Sequence, residues 1–347
     1  MRLMGVAPPP ASAQAAPMPH LHDTLFRAIF RDPAEAADLA RDLMPPPIRD
    51  ALAWDALKPV PGVLLDEQLR ARITDLRFEA PWREGGHAQL TLLFEHQSRP
   101  DPEMPWRVHQ YVFRVWEEHK SRAPRAKLPL VLPIVVFHGP RPWKAPRRLS
   151  ALIDAPEVAI ARLGPYVPEL QLFLEDLSAR DDTTLPGRDG GRLTLMLLRH
   201  SHDPDLWPIV GQHLGLLSAL QRRRGDGAAL SVLHYVYERS ERSPDVALLA
   251  EVRGILNPPA REDLMRYGER LRMEGRQEGR QEGRQEGRQE AAVESAQRAL
   301  LNVIRVRFGA PPEWVEAKIL AADAETLHEW ITLAAAAPNL DAVFSPA

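Results

Sequence analysis

The chain has 347 residues, of which 44% are apolar, which is enough for more than one core. It contains no cysteine, which excludes a disulfide framework and thiolate metal sites and fits a cytoplasmic setting. The net charge of −3 gives no general sign of nucleic-acid binding, and no apolar run of about 18 residues is present to cross a membrane.

Met1 to Pro19 is rich in Ala and Pro. Pro8, Pro9, Pro10 and Pro17 interrupt it and Arg2 is its only basic residue, so residues 1–19 read as a disordered arm rather than a signal peptide. His22 to Met44 reads as one helix, with Leu25, Ile29 and Phe30 at helical spacing and Pro45-Pro46-Pro47 as its stop. Val63-Leu64-Leu65 suggests a short strand. Arg72–Ala80 and Gln89–Gln97 alternate as strands around a turn-rich link, Pro81 to His87. Arg107–His119 reads as a helix with Val108, Val112, Val115 and Trp116 on one side. Leu130–Phe137 is nearly all apolar, as a strand covered on both faces would be. This order implies an α/β core.

From about Asp154 to Ile255 the pattern is mostly helical, with Leu-rich segments at Arg192–Arg199 and Leu214–Gln221. Glu274–Gln289 holds four copies of Glu-Gly-Arg-Gln. Each glycine costs about 1 kcal/mol of helix propensity relative to Ala. The period of four stacks like charges, and no apolar seam exists, so a frayed helical spacer is expected rather than a coiled coil. Ala291–Phe308, Pro312–Leu320 and Ala324–Ala336 read as three short helices, with Gly309 as a C-cap. The expected divisions are therefore an arm over 1–19, a core with helical extension over 20–255, a spacer over 256–290 and a helical module over 291–347.

The charge is unevenly spread. Between Arg99 and Arg148 stand eleven Lys and Arg against four Asp and Glu, a local net of +7 that can attract phosphates or simply form a solvated basic surface. On the strand Gln89–Gln97, the residues Thr91, Leu93, Glu95 and Gln97 share one face, and Ile73, Asp75 and Arg77 share a face of the preceding strand. A hairpin centred on Gly85 would set Asp75 opposite Glu95. Two carboxylates about 5 Å apart repel unless a cation lies between them, and Mg²⁺ favours such oxygen ligands. A cation there can support phosphodiester hydrolysis, with Gln97 orienting the attacking water. Both acids read equally as solvated or salt-bridged strand residues, with Arg77 as partner. Asp23 reads either as a third acidic group or as an N-cap or first-turn acid favoured by the helix dipole. Arg107, Tyr111 and Arg114 share a helix face, either to hold DNA phosphates or to bridge to acidic neighbours. His138 ends the buried strand and reads as a structural hydrogen-bonding residue rather than a metal ligand. No P-loop, Gly-x-Ser-x-Gly elbow or His-Glu-x-x-His motif occurs.

The stretches beginning at His22-Asp23, Ile73-Thr74-Asp75, Leu92-Leu93-Phe94-Glu95-His96-Gln97-Ser98, Arg107-Val108-His109-Gln110-Tyr111 and Pro129-Leu130 resemble the Rpn/YhgA-like family of recombination-promoting nucleases and transposases, over roughly residues 20–255. The resemblance implies a PD-(D/E)XK restriction-endonuclease-like core, a mixed sheet flanked by helices, followed by an α-helical C-terminal region. It implies a divalent-metal-dependent DNA endonuclease acting in recombination or transposition, with Mg²⁺ or Mn²⁺ on Asp75 and Glu95 and catalysis by Asp75, Glu95 and Gln97. The partners expected are DNA and a homo-oligomer, with no membrane. Gln97 stands where the superfamily has Lys. An uncharged amide orients water without stabilising hydroxide, so the alternative is a weak or inactive nuclease fold that binds DNA or acts in assembly.

Overall fold

A computed structural model describes residues 19–60, 73–95 and 100–344, with side chains throughout except at 19–20, 73–75, 92–95, 278 and 282. Helix α1 spans Pro19–Phe30 and α2 Pro33–Leu43. The single helix expected over this stretch is broken at Asp32-Pro33. Asp32 leaves helical geometry and caps α2 by accepting from the Ala34 and Glu35 amides at 2.9 and 3.3 Å, and Pro33 supplies the first-turn proline. Helix α3, Pro46–Ala51, begins within the proline run, with Pro45 at its N-cap.

Five strands form one mixed sheet in the order β1 to β5: Lys58–Pro59, Ile73–Pro81, His87–Glu95, Leu130–Phe137 and Phe173–Asp176. The β1–β2 and β2–β3 pairs are antiparallel, and β3–β4 and β4–β5 are parallel. Helix α4, Met104–Arg122, makes the crossover between β3 and β4 that a parallel pair requires. The short strand expected at Val63–Leu65 lies outside the described residues, as does the expected arm apart from Pro19.

Strand β4 explains the three-layer packing. Leu132, Ile134 and Val136 join a large core with Leu25, Phe26, Ile29, Phe30 and the later helices, whereas Val131, Val135 and Phe137 join a second core with Met104, Val108, Tyr111, Val112 and Val115 of α4. Alternate residues therefore meet apolar partners on opposite faces, and the strand is apolar at nearly every position. The helices completing the large core include α6 (Asp189–Arg199), α8 (Leu214–Arg224) and α9 (Asp226–Arg239); α5 (Glu157–Arg162), α7 (Trp207–Gln212) and α10 (Val246–Ile255) complete this part of the chain. The result is an α/β nuclease-like fold, a mixed sheet between helices.

The chain divides at Gly268–Glu269 into two compact units. Helix α11, Pro258–Phe308, runs through that division, and the Glu-Gly-Arg-Gln copies are helical throughout. The second unit has its own core, in which Ala296, Leu300 and Ile304 of α11 meet Val315 and Ile319 of α12 (Glu313–Leu320), Leu327 and Ala334 of α13 (Ala324–Ala336), and Val343 of α14 (Leu340–Phe344). Gly309 ends α11 at φ +91°, as its position predicts. A β-carbon at Gly275, Gly279, Gly283 or Gly287 would meet nothing within 4 Å. Replacing all four by Ala should therefore stabilise the helix by about 1 kcal/mol per site, read as a higher helical signal and melting point by circular dichroism. An unchanged melt would show that propensity does not limit this segment.

Candidate active site at one end of the mixed sheet

The β2–β3 turn sets the geometry of the site. Gly85 and Gly86 both take positive φ, +100° and +83°, which residues with a β-carbon rarely adopt. The Gly85 amide donates to the Trp82 carbonyl at 3.1 Å and the Trp82 amide to that of Gly86 at 2.9 Å. This turn is centred on Glu84, not Gly85, and the strand register shifts accordingly. Asp75 stands opposite Leu93, and Glu95 opposite Ile73. The expected direct opposition of Asp75 and Glu95 is corrected to a diagonal one. Both positions keep the same parity, so they belong to one face of the sheet, and diagonal neighbours lie roughly 7–8 Å apart. Arg77 fixes which face this is, because its Nη1 donates to Glu118 Oε2 of α4 at 2.8 Å. Asp75 and Glu95 thus hold positions on the face that α4 covers.

The neighbouring strands complete this end of the sheet. Glu95 pairs with Phe137, and Phe137 with Asp176. The Asp176 carboxylate is used in holding the loops: Oδ2 accepts from the Trp143 amide at 2.7 Å, and Oδ1 accepts from the Ser178 hydroxyl at 2.7 Å and its amide at 3.1 Å. His138 follows Phe137 and is buried in a polar cluster that sequence reasoning did not assemble. Its Nδ1 lies 3.2 Å from Ser201 Oγ, and its ring centroid lies 4.8 Å from that of His22 and 6.2 Å from that of His202. His22 Nδ1 in turn lies 2.9 Å from the Tyr235 hydroxyl, whose ionisation burial pushes well above the usual phenol range. This cluster joins α1, α9 and the loop after α6 to the end of β4, beside the strand that carries Glu95. Its members lie up to 213 residues apart, so no local pattern in the sequence signals it.

The remaining sequence candidates are placed separately. Asp23 is not in the first turn of α1, and its Oδ1 accepts from Arg27 Nε at 3.1 Å, one helical turn away. Arg107 is mostly buried and pairs with Asp101 at 2.6 Å, the bridging alternative. Tyr111 is 1% exposed within the second core, which corrects its reading as a phosphate contact: a side chain packed against β4 presents no surface to DNA. Arg114 lines a shallow groove with Trp106, Gln110, Phe113 and Glu117. Gln97 lies outside the described residues. Among the described residues no group of three or more His, Asp or Glu is placed to hold a metal.

The mixed sheet between helices is consistent with an α/β nuclease-like fold. Residues 20–226 match the family described as "Putative transposase, YhgA-like", and the chain belongs to this family. It is 26% identical over 253 residues to the recombination-promoting nuclease RpnD of Escherichia coli O157:H7, covering 72% of this chain and 93% of that one. It is 26% identical over 261 residues to the recombination-promoting nuclease RpnA of Escherichia coli K12, covering 74% and 85% of the two chains. It is also 27% identical over 264 residues to RpnE of the same strain, named an inactive recombination-promoting nuclease-like protein, covering 74% and 83%. No solved structure shows a significant match. Among the described residues, no helix is long and apolar enough to cross a membrane.

Proposed function

We propose that the chain is a metal-dependent DNA endonuclease with a PD-(D/E)XK-type core, acting in recombination or transposition. The observation that carries this reading is the register that brings Asp75 and Glu95 to diagonal positions on one sheet face. Two carboxylates offer an all-oxygen donor set, which suits Mg²⁺ or Mn²⁺. Asp75 and Glu95 would hold the cation. Once bound, it supplies charge neutralisation at the scissile phosphate and a lowered pKa for a coordinated water. Gln97, two positions beyond Glu95, would accept a hydrogen bond from the attacking water and orient it. The deciding experiment is plasmid nicking by purified protein with and without Mg²⁺ or Mn²⁺. Nicking only with the cation supports the reading, and no nicking with any divalent metal overturns it.

The second reading, an inactive nuclease fold that binds DNA or assembles, is favoured by Gln97 in place of Lys and by the relative named inactive. The same assay decides between the two. Cleaving or binding DNA needs DNA affinity, and the exposed basic residues suited to it are Arg125, Lys127, Arg141, Lys144 and Arg147. Changing these five to Ala should weaken DNA binding and flatten its salt dependence by about one unit of slope for each phosphate no longer neutralised. Titration at two salt concentrations measures this, and an unchanged slope would remove this surface from the interface. Changing Arg107 to Ala should act mainly on stability, because Asp101 would be left without its partner.

A further inference from the structure

Helix α4 carries apolar residues on two sides. Its inner stripe, Met104, Val108, Tyr111, Val112 and Val115, is used in the second core. Its outer stripe holds Trp106, 47% exposed, and Phe113, 54% exposed, about two helical turns apart. Between them lie Gln110 and His109, whose ring is stacked on that of Trp106 with centroids 6.3 Å apart. Large aromatic side chains held half in water along one stripe are the mark of an interaction surface.

The surface extends beyond the helix. A hollow of about 330 Å³ runs along Trp106, Gln110, Phe113 and Glu117. A second, of about 360 Å³, shares Trp106 and His109 with it and opens between α4 and the turn Leu149–Leu152. A third, of about 640 Å³, shares Ile153 with the second and reaches α5. Together they are lined by about twenty residues, which is what one side of a standard protein–protein interface presents. The charge of the lining narrows the occupant. Glu103, Glu117, Glu157 and Glu169 stand against Arg114 and Arg148, and Arg148 is paired with Glu169 at 2.9 Å. A face with surplus carboxylates repels phosphates, so neither a nucleic-acid strand nor an anionic lipid surface suits it.

The outer stripe of α4 is complementary to itself when reversed. A second α4 laid antiparallel, about a two-fold axis between His109 and Gln110, sets Trp106 against Phe113 of the second copy and Phe113 against its Trp106. Arg114 then falls opposite Pro105 of the second copy, about 3 Å of helix rise from the exposed Glu103 there. Glu117 reaches the first turn of the opposing helix, where the helix dipole favours a carboxylate. Each of these contacts occurs twice, as an isologous interface requires.

We propose that the outer face of α4 is a two-fold interface between copies of this chain, with the two α4 helices antiparallel across it. The proposal does not rest on the nuclease reading, because it concerns assembly and is read without cleavage.

The test uses the full chain free of DNA. By analytical ultracentrifugation it should sediment as a dimer or a larger even-numbered assembly. Phe113→Asp should weaken association at least about thirtyfold, the loss expected of a central aromatic anchor. Phe113 is 54% exposed in the single chain, so its change should leave the melting curve in place; if it does not, Trp106→Gln serves instead. Arg114→Glu and Glu103→Arg should each weaken the dimer, and the two together should restore it. The chain has no cysteine, so a single introduced one reports proximity without background. Gln110→Cys, beside the axis, should join two copies on mild oxidation, whereas Ser121→Cys, at the far end of α4, should not. A monomer at up to about 100 µM overturns the interface, because interfaces of this size bind more tightly. So does association that Phe113→Asp leaves unchanged, or that forms only when DNA is added. Cross-linking through Ser121→Cys, or none through Gln110→Cys, overturns the antiparallel arrangement. A charge-reversed pair that fails to restore association overturns the contact between Arg114 and Glu103.

Discussion

Asp75→Ala and Glu95→Ala should each remove metal-dependent DNA cleavage, by a factor of at least about 10²–10³, while DNA binding stays within a few fold of the parent protein. In the proposed site the two carboxylates place the cation, so either loss removes charge stabilisation from the transition state and not from the bound complex. In the same reading affinity comes instead from exposed basic residues, which these changes leave alone, and deleting an acid near the phosphate should if anything tighten binding. The diagonal register sharpens the expectation. Asp75→Glu lengthens a side chain across a span of roughly 7–8 Å and should retain some activity, whereas Asp75→Asn keeps the shape, loses the charge and should fail. Gln97→Ala should cost less than either carboxylate, because orienting a water contributes less than holding the metal. Gln97→Lys introduces a cationic group beside the nucleophile and should keep or raise the rate. Plasmid nicking across a Mg²⁺ series measures all of these variants. Cleavage by Asp75→Ala at the parent rate would show that the site lies elsewhere.

The sequence makes some of this site legible and conceals the rest for identifiable reasons. Strand β4 is readable because both its faces are covered, so its apolar run has no solvent-facing interruption. The hairpin is readable from Gly85-Gly86, but its register is not. Pairing depends on which turn residues take positive φ, and with both glycines doing so the centre moves to Glu84. The break at Asp32 is carried by an Asp-Pro pair, a cap signal that the strong apolar periodicity on either side overrides in a reading by pattern alone. Tyr111 is misplaced because its spacing from Arg107 and Arg114 also fits the apolar stripe of Met104, Val108, Val112 and Val115. A tyrosine can serve either face, and packing against β4 decides it. The His22–His138–Tyr235 cluster joins residues distant in sequence, beyond the reach of any local pattern. The buried Arg77–Glu118 pair is hidden differently. Arg77, Glu79, Gln89 and Thr91 look like the solvated face of a hairpin until α4 is laid across them.

Glu118→Ala should destabilise the first unit by about 3–5 kcal/mol, far more than a surface substitution. Arg77 keeps only 5% of its side chain exposed, and its Nη1 donates to Glu118 Oε2 at 2.8 Å. Its Nε is already buried without a partner, so removing Glu118 strands a full positive charge between the sheet and α4. The reverse change, Arg77→Ala, should cost less. Glu118 is 18% exposed and retains Arg122 one helical turn away at 2.5 Å, so water and a second cation share its charge. Glu118→Gln keeps an acceptor for Arg77 and should fall between the two. Replacing both partners by apolar residues of similar volume, Arg77→Met with Glu118→Leu, should recover most of the loss, because no buried charge remains to be compensated. For a unit of this size the single Glu118→Ala loss corresponds to a fall in Tm of roughly 6–12 °C, measurable by calorimetry on the full chain. Equal losses from Glu118→Ala and Arg77→Ala would indicate lost packing instead of a stranded charge. A double variant less stable than Glu118→Ala would show that the pair contributes net stability that apolar packing across this face cannot replace.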